Sequence, residues 1–247
     1  MTTRILNCRP SGKSDRDFKL TEDTIPVISV GNGLLPQNRR IEKGSRLSVY
    51  DQGNTGACVG YAVTLAVQAY DAYALRVSRL IDPILLWMNS KEMDEFRSGP
   101  TVMLPLEGTS IRACLGVLKK YGASGNSHLN YDYEGWARLA ALNRIRSYAV
   151  VEFSQLSKAL ELGPVILCIR PDKKFFDGVD TVDRAAPVNN KGIHQYHAVV
   201  VLYEHKVGSK TYYKIHNSWG GDWGKYGQMN ASKEYLKSIF VEGWTIS

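Results

Sequence analysis

Cys58 stands where a polar, glycine-rich segment gives way to an apolar run, residues 62–70. This change of pattern predicts that Cys58 occupies the first turn of a buried helix. Unpaired backbone N–H groups and the positive end of the helix dipole would then face its sulfur. Both favour the thiolate, which is the nucleophilic form of cysteine. We therefore expect a Cys58 pKa well below the ordinary value of about 8.5.

Acyl transfer to a thiol also requires an imidazole that takes and returns a proton, and a group that orients this imidazole. His197 opens an apolar run, residues 198–203, that predicts a short strand, and Asn217 follows further along the chain. Gln52 lies in the loop before Cys58, where its amide could approach the sulfur and stabilise an oxyanion. The sequence thus contains each kind of group that thiol acyl transfer needs.

Three segments around these residues resemble the active-site segments of papain-like cysteine peptidases, and they occur in the family's order. They are Gln52-Gly53-Asn54-Thr55-Gly56-Ala57-Cys58, Tyr196-His197-Ala198-Val199-Val200-Val201 and Asn217-Ser218-Trp219-Gly220-Gly221-Asp222-Trp223-Gly224-Lys225-Tyr226-Gly227. The interval between the cysteine and the histidine is typical of that family. The resemblance covers residues 46–247. It implies an α+β, papain-like fold of two lobes with the active site in the cleft between them.

The order of predicted elements agrees with this division. Residues 1–45 are polar and rich in proline and glycine, which predicts an extended N-terminal arm with little structure of its own. Helical patterns dominate residues 46–147, the expected helical lobe with the nucleophile. Continuous apolar runs such as 165–169 dominate residues 148–247, the expected antiparallel β-rich lobe with the histidine and the asparagine. Ser154 is predicted to cap a short helix in this second lobe.

The resemblance also implies substrate-binding residues. Gly108 and Thr109 align with the glycine pair that binds substrate backbone in the family, with Thr109 at the second glycine. Trp219 falls where the family has a tryptophan that shields the histidine–asparagine hydrogen bond from water. Departures from the family pattern at Val59 and Tyr203 leave the catalytic groups intact and leave substrate preference open.

The net charge of +7 and a pI of about 9.1 would allow an acidic partner. The basic residues are scattered in short pairs without interleaved aromatics, so we expect solvated surface and no nucleic-acid partner. No apolar stretch has the length of a membrane span or the form of a signal peptide, which predicts a cytoplasmic location without a membrane partner. The arm resembles that of bacterial and viral members of the group, which favours such an origin.

The four cysteines show neither disulfide nor zinc-ligand spacing, so we expect free thiols, no metal and no cofactor. Cys114 and Cys168 are predicted to be small core residues. Cys8, in the arm, is predicted to be an exposed thiol without a role.

The predicted function is that of a cysteine peptidase, which hydrolyses a peptide or protein substrate through a thioester acyl-enzyme. Two alternatives remain open. The same catalytic set could serve an isopeptidase or acyltransferase, or the chain could be a catalytically silent peptide-binding module. The sequence does not indicate an oligomeric state.

Overall fold

The computed structural model describes residues 4–20, 47–73, 79–92, 108–125, 133–186 and 195–247. The helices in these ranges are α1 (Cys58–Tyr73), α2 (Pro83–Glu92), α3 (Ile111–Lys120), α4 (Tyr133–Leu142), α5 (Leu156–Leu162), α6 (Lys173–Phe176) and α7 (Lys233–Ile239). The strands are β1 (Tyr148–Val151), β2 (Val165–Ile169), β3 (Thr181–Val182), β4 (His197–Val207), β5 (Lys210–His216), β6 (Gln228–Ser232) and β7 (Phe240–Ile246). Helices precede a mostly antiparallel sheet, which confirms the predicted α+β class.

The described strands form one seven-stranded sheet in the order β1-β7-β2-β4-β5-β6-β3. Only the short β3–β6 pair is parallel. Strand β4 is central and pairs with β2 through Ile169↔His197 and with β5 through Val200↔His216. Strands β4 and β5 are an antiparallel pair, as expected for the β-rich second lobe. Because β4 and β5 are antiparallel, the chain returns from His197, at the start of β4, to Asn217, directly after β5.

The sheet buries both of its faces, which explains the unbroken apolar runs of its central strands. In β2, Ile166 and Cys168 pack with the helices α1 and α3, while Val165 and Leu167 pack on the opposite face with α5 and α7. Neighbouring residues on a strand point to opposite faces, so a continuous apolar strand serves two cores. The region around Cys58 lies in the first of these cores.

Helix starts follow from local capping. The Asp82 carboxylate accepts hydrogen bonds from the N–H groups of Ile84 and Leu85, at 2.8 and 3.1 Å, as its place before Pro83 predicts. The prediction that Ser154 caps the short helix after β1 is wrong. Glu152 is the cap of the 3₁₀ turn there, and it forms a reciprocal capping box with Gln155.

Two parts of the architecture have no counterpart in the sequence-based prediction. Helix α4 begins at Tyr133, where no individual helix was predicted. Strand β7, the last of the chain, lies between β1 and β2 and is antiparallel to both. The C-terminal residues thereby complete the sheet beside the strands that carry the candidate site.

Candidate active site

His197 and Asn217 form a buried pair at the start of β4 and the end of β5. The distance from His197 Nε2 to Asn217 Oδ1 is 2.6 Å. The same Asn217 oxygen accepts the Ser218 backbone N–H at 2.8 Å, which fixes it as an acceptor. His197 Nε2 therefore carries the proton, and Nδ1 of the neutral ring is left with a free lone pair. Within the described residues Nδ1 has no hydrogen-bond partner.

Aromatic side chains enclose this pair. The Trp219 ring lies 4.6 Å from the His197 ring, and Phe175 lies 5.4 Å from Trp219, centroid to centroid. Phe176 stacks on Trp219, and Trp223 packs against Phe175 while donating its indole N–H to the Phe175 carbonyl. Trp219 is almost completely buried. Water is excluded from the His197–Asn217 hydrogen bond, which strengthens it.

The Gln52 side chain is held in place from two directions. Its oxygen accepts the Ser218 hydroxyl at 2.7 Å, and its Nε2 donates to the Thr55 carbonyl at 2.9 Å. The Gln52 backbone N–H also bonds to the Ser218 carbonyl at 2.9 Å. Because Ser218 also bonds Asn217, this one residue connects the Gln52 amide to the histidine–asparagine pair.

Cys58 is the first residue of α1 and is completely buried. The backbone N–H of Ala198, the residue after His197, lies near enough to its sulfur to lower the pKa of the thiol. The predicted nucleophile therefore lies near the start of β4. The backbone N–H of Asn7, which belongs to the N-terminal arm, acts on the same sulfur.

The arm lies in the cleft beside these residues. The Ile5 carbonyl accepts a hydrogen bond from Gln52 Nε2 at 3.3 Å. Cys8 donates its N–H to the Tyr196 carbonyl at 3.0 Å and forms an antiparallel bridge with that residue. The prediction that Cys8 is exposed is wrong, since the side chain is only 3% exposed. An extended segment of the chain thus occupies the place expected for a peptide.

The two predicted substrate-binding residues on the helical side contact this segment. Thr109 is buried, and its carbonyl accepts the Arg9 N–H at 3.1 Å. Gly108 allows a close approach, because a Cβ atom there would lie 1.4 Å from the Asn7 carbonyl oxygen. The backbone of the arm therefore passes where only glycine leaves room. Gly108, Thr109 and Tyr196 define the two sides of the cleft.

Further contacts hold the arm along its length. Arg4 forms an ion pair with Asp51 at 2.9 Å, and the Glu242 carboxylate accepts both the N–H and the hydroxyl of Ser11. Arg112 pairs with Asp17 at 2.8 Å. Beyond these contacts, the described part of the arm continues beside β1, where the Leu20 N–H bonds to the Val150 carbonyl.

Burial under the arm changes the protonation of the site. Desolvation, reinforced by the nearby Cys8 thiol, raises the pKa of Cys58 to about 12. Desolvation also lowers the pKa of His197 to about 4, against the opposing effect of the Asn217 hydrogen bond. The expected low Cys58 pKa is therefore wrong for this arrangement, because the arm keeps water from the charged forms. Thiol and imidazole are both neutral here.

Sequence reasoning did not assign Ser218, Phe175 or the arm to the site. Ser218 follows Asn217 in the segment that resembles the family's asparagine segment, so the sequence could have indicated that Ser218 belongs to the site. Phe175 lies on α6, and nothing in its local sequence indicates that it packs edge-on against Trp219. The contact of the arm with Gln52 depends on residues far apart in the chain.

No group of metal-ligating side chains occurs among the described residues. In the same ranges, no helix is both long enough and apolar enough to cross a membrane.

A thiol at the start of a helix and a histidine that an asparagine orients are the groups that a thiol-dependent hydrolase uses. A family model for "Papain family cysteine protease" matches residues 117–242, which is half of the chain and includes His197 and Asn217. The chain belongs to this family.

Curated relatives agree with that assignment. A cysteine proteinase of Theileria parva is 26% identical over 203 residues, which cover 75% of this chain and 40% of that protein. A viral cathepsin of Lymantria dispar multicapsid nuclear polyhedrosis virus is 24% identical over 195 residues, covering 75% of this chain and 51% of that protein. The chain thus spans about half the length, or less, of these relatives.

Among solved structures, xylellain, a cysteine protease from Xylella fastidiosa, superimposes with a TM-score of 0.73 at 19% identity. The match covers 98% of this chain and 95% of xylellain. At this identity the similarity concerns the fold, and it confirms the predicted papain-like architecture.

Proposed function

We propose that this protein is a cysteine peptidase that hydrolyses peptide bonds, with Cys58 as nucleophile, His197 as acid and base, and Asn217 as the residue that orients His197. Family membership supports the reaction class. The free lone pair on His197 Nδ1 supports the role of the ring, because a base must present an unprotonated nitrogen.

The first step is attack of the Cys58 sulfur on the substrate carbonyl carbon, with His197 Nδ1 taking the thiol proton. Asn217 keeps the other ring proton on Nε2, so the imidazolium that forms remains hydrogen-bonded and shielded by Trp219. The Cys58 backbone N–H and the Gln52 amide stabilise the oxyanion. His197 then protonates the leaving amine, and water activated by the same ring releases the acyl group from sulfur.

One observation carries this proposal: Gln52 Nε2 already donates to a peptide carbonyl, that of Ile5, in the same arm whose Asn7 backbone N–H lies near the buried Cys58 sulfur. A group proposed to bind the substrate oxygen thus binds the oxygen of an extended segment in the same cleft. Thr109 and Tyr196 bind the backbone N–H groups of this segment, which supports recognition of extended peptides through the main chain.

The arm and a substrate cannot occupy the cleft together, so turnover requires displacement of residues 5–9. The substrate class is an extended peptide or protein segment. A cytoplasmic location and the absence of a nucleic-acid partner stay predictions of the sequence.

The test is cleavage of a peptide library, followed by mass spectrometry, with purified protein and its Cys58→Ala variant. We expect hydrolysed peptides with the wild type and none with Cys58→Ala. Trapping of thioester-linked substrate without hydrolysis, followed by transfer to an added amine, would instead identify an acyltransferase. Retention of intact peptides by both proteins would identify a binding module.

Gln52→Ala separates transition-state stabilisation from substrate binding. Loss of one oxyanion donor should lower kcat by roughly 10²–10³, with KM nearly unchanged. A raised KM at unchanged kcat would make Gln52 a substrate-positioning residue. His216→Ala is the matched histidine control. Its ring faces Gln228, 3.2 Å away, so activity should remain, whereas His197→Ala should abolish it.

A further inference from the structure

Three of the four cysteines of the chain meet in the cleft. Cys8 comes from the arm, Cys58 from the start of α1 and Cys168 from β2, and all three are buried in one large apolar cluster that also contains Cys114. The arm crosses the strand that carries Cys168, because Cys8 is bridged to Tyr196 on one side and Ser11 bonds Glu242, the register partner of Cys168, on the other. In this position the Cys8 thiol influences the pKa of both Cys168 and Cys58. The arm therefore places a thiol against the wall of the cleft.

Backbone pairing holds these thiols in place. Cys8 is bridged to Tyr196, the residue before β4, and Cys168 is the register partner of Ala198, two residues after Tyr196. The backbone N–H of Ala198 also lies near enough to the Cys58 sulfur to lower its pKa. A movable segment and a rigid strand thus each present a sulfur to one small apolar space.

We propose that Cys8 and Cys168 form a disulfide in the presence of a low-molecular-weight disulfide such as oxidised glutathione, and that this bond fixes the arm in the cleft. Its consequence for turnover rests on the proposed function, but the bond itself does not.

The reaction consists of two thiol–disulfide exchanges. When the arm leaves the cleft, the Cys8 thiolate attacks oxidised glutathione, which forms a mixed disulfide and releases one reduced glutathione. When the arm returns, the Cys168 thiolate attacks the Cys8 sulfur of that mixed disulfide and releases the second reduced glutathione. Two protein thiols are oxidised and one glutathione disulfide is reduced, and both thiol protons pass to the released glutathione thiolates.

Cys168 is the partner of Cys8 because the arm is bonded beside both neighbours of β2, to Tyr196 just before β4 and to Glu242 on β7, whereas Cys58 lies on α1. The bond leaves Cys58 as a thiol beneath the arm. Oxidation therefore holds the site closed without consuming the nucleophile, and reduction reopens it.

The experiment is incubation of wild type, Cys8→Ala, Cys168→Ala and Cys114→Ala with oxidised glutathione, followed by peptide mapping without reduction. We expect a Cys8–Cys168 cross-link in wild type and in Cys114→Ala, the matched control for a buried cysteine on α3. Cys168→Ala should instead carry a glutathionyl group on Cys8, which is the trapped intermediate. A Cys8–Cys58 cross-link, stable glutathionylation of wild-type Cys8, or free thiols at both positions would each overturn the proposal.

Hydrogen exchange provides a readout that does not depend on activity. The N–H groups of Cys8 and Arg9 bond to the two sides of the cleft, so their exchange reports opening of the arm. The cross-link should slow their exchange at least about tenfold, and dithiothreitol should reverse this effect. Unchanged exchange in cross-linked protein would show that the bond does not hold the arm. If the cross-link forms and slows exchange but no peptide is ever hydrolysed, the bond stands and the proposed function fails.

Discussion

The two halves of the site are covered in different ways. The His197–Asn217 pair lies beneath Trp219 and Phe175, which belong to the second core of the sheet. Cys58 lies beneath the arm, an extended segment that bridges Tyr196 through a single pair of residues. One cover is part of the packed interior, and the other is a peptide held by hydrogen bonds and a few side chains.

This difference separates two physical tasks. The orienting hydrogen bond of the histidine must exclude water at all times, and close-packed aromatics achieve this. The nucleophile must alternate between protection and access, which requires a cover of low local stability. The predictions below test whether the two covers can be disturbed separately.

The largest effect is expected from the aromatic cover. Phe175 is fully buried between His197 and Trp219, so Phe175→Ala should lower the free energy of unfolding by about 3–5 kcal/mol. Urea unfolding measures this change. Tyr226→Ala is the control, because that aromatic is 76% exposed and should change stability by at most about 0.5 kcal/mol. Equal stability of the two variants would contradict the packing role of Phe175.

Acid should lower the stability of the fold by favouring protonation of the two buried histidines. Burial lowers the pKa of His197 and of His216 to about 4, below the unfolded value near 6.5. The unfolded state therefore binds more protons below pH 6.5, and stability falls as the pH drops from about 6.5 to about 4. Each fully buried histidine should contribute roughly 3 kcal/mol to this loss.

Unfolding free energies at pH 7 and pH 4 test that dependence. His216→Asn removes one of the two titrating groups, so its acid-induced loss should be smaller than that of the wild type by a similar amount. The same acid-induced loss in both proteins would show that His216 does not titrate in this window.

A smaller effect is expected when docking of the arm in the cleft is weakened. Leu6 is 2% exposed in the second core, so Leu6→Ala should weaken docking of the arm by about 2 kcal/mol, at the low end for such a truncation. Water would then reach Cys58 more often, its apparent pKa would fall, and its alkylation by iodoacetamide would accelerate by roughly tenfold or more. Phe18→Ala, at an exposed site on the same arm, should leave the alkylation rate unchanged. If neither variant accelerates alkylation, the arm does not control access.

The smallest effect concerns the ion pair at the start of the described arm. The Asp51 side chain is 53% exposed, so loss of its pair with Arg4 should cost less than about 1 kcal/mol. Arg4→Ala should therefore accelerate alkylation of Cys58 by less than about fivefold, and added salt should reduce the difference. Lys173→Ala, which removes an exposed pair with Asp177, provides the control. A salt-independent change would assign the effect to the Arg4–Trp219 hydrogen bond instead.

Local sequence patterns were sufficient to predict several elements of the fold. The change from polar to apolar residues at Cys58 predicted the start of α1, and Asp82 before Pro83 predicted the start of α2. The apolar run 165–169 predicted β2. These features depend on neighbours within a few residues, where periodicity and capping are encoded directly.

The tertiary structure decided the features that depend on distant residues. The pairing of β7 between β1 and β2, and the contact of Phe175 with Trp219, join segments whose local patterns do not identify their partners. The same holds for the arm, whose polar composition predicted an extended segment with little structure of its own. Burial of Cys8 against Cys168 results from backbone hydrogen bonds to the two sides of the cleft, and it reverses the expected protonation of Cys58. The sequence determined which groups are available for chemistry, and long-range packing determined which of them water can reach, because desolvation depends on everything that surrounds a group.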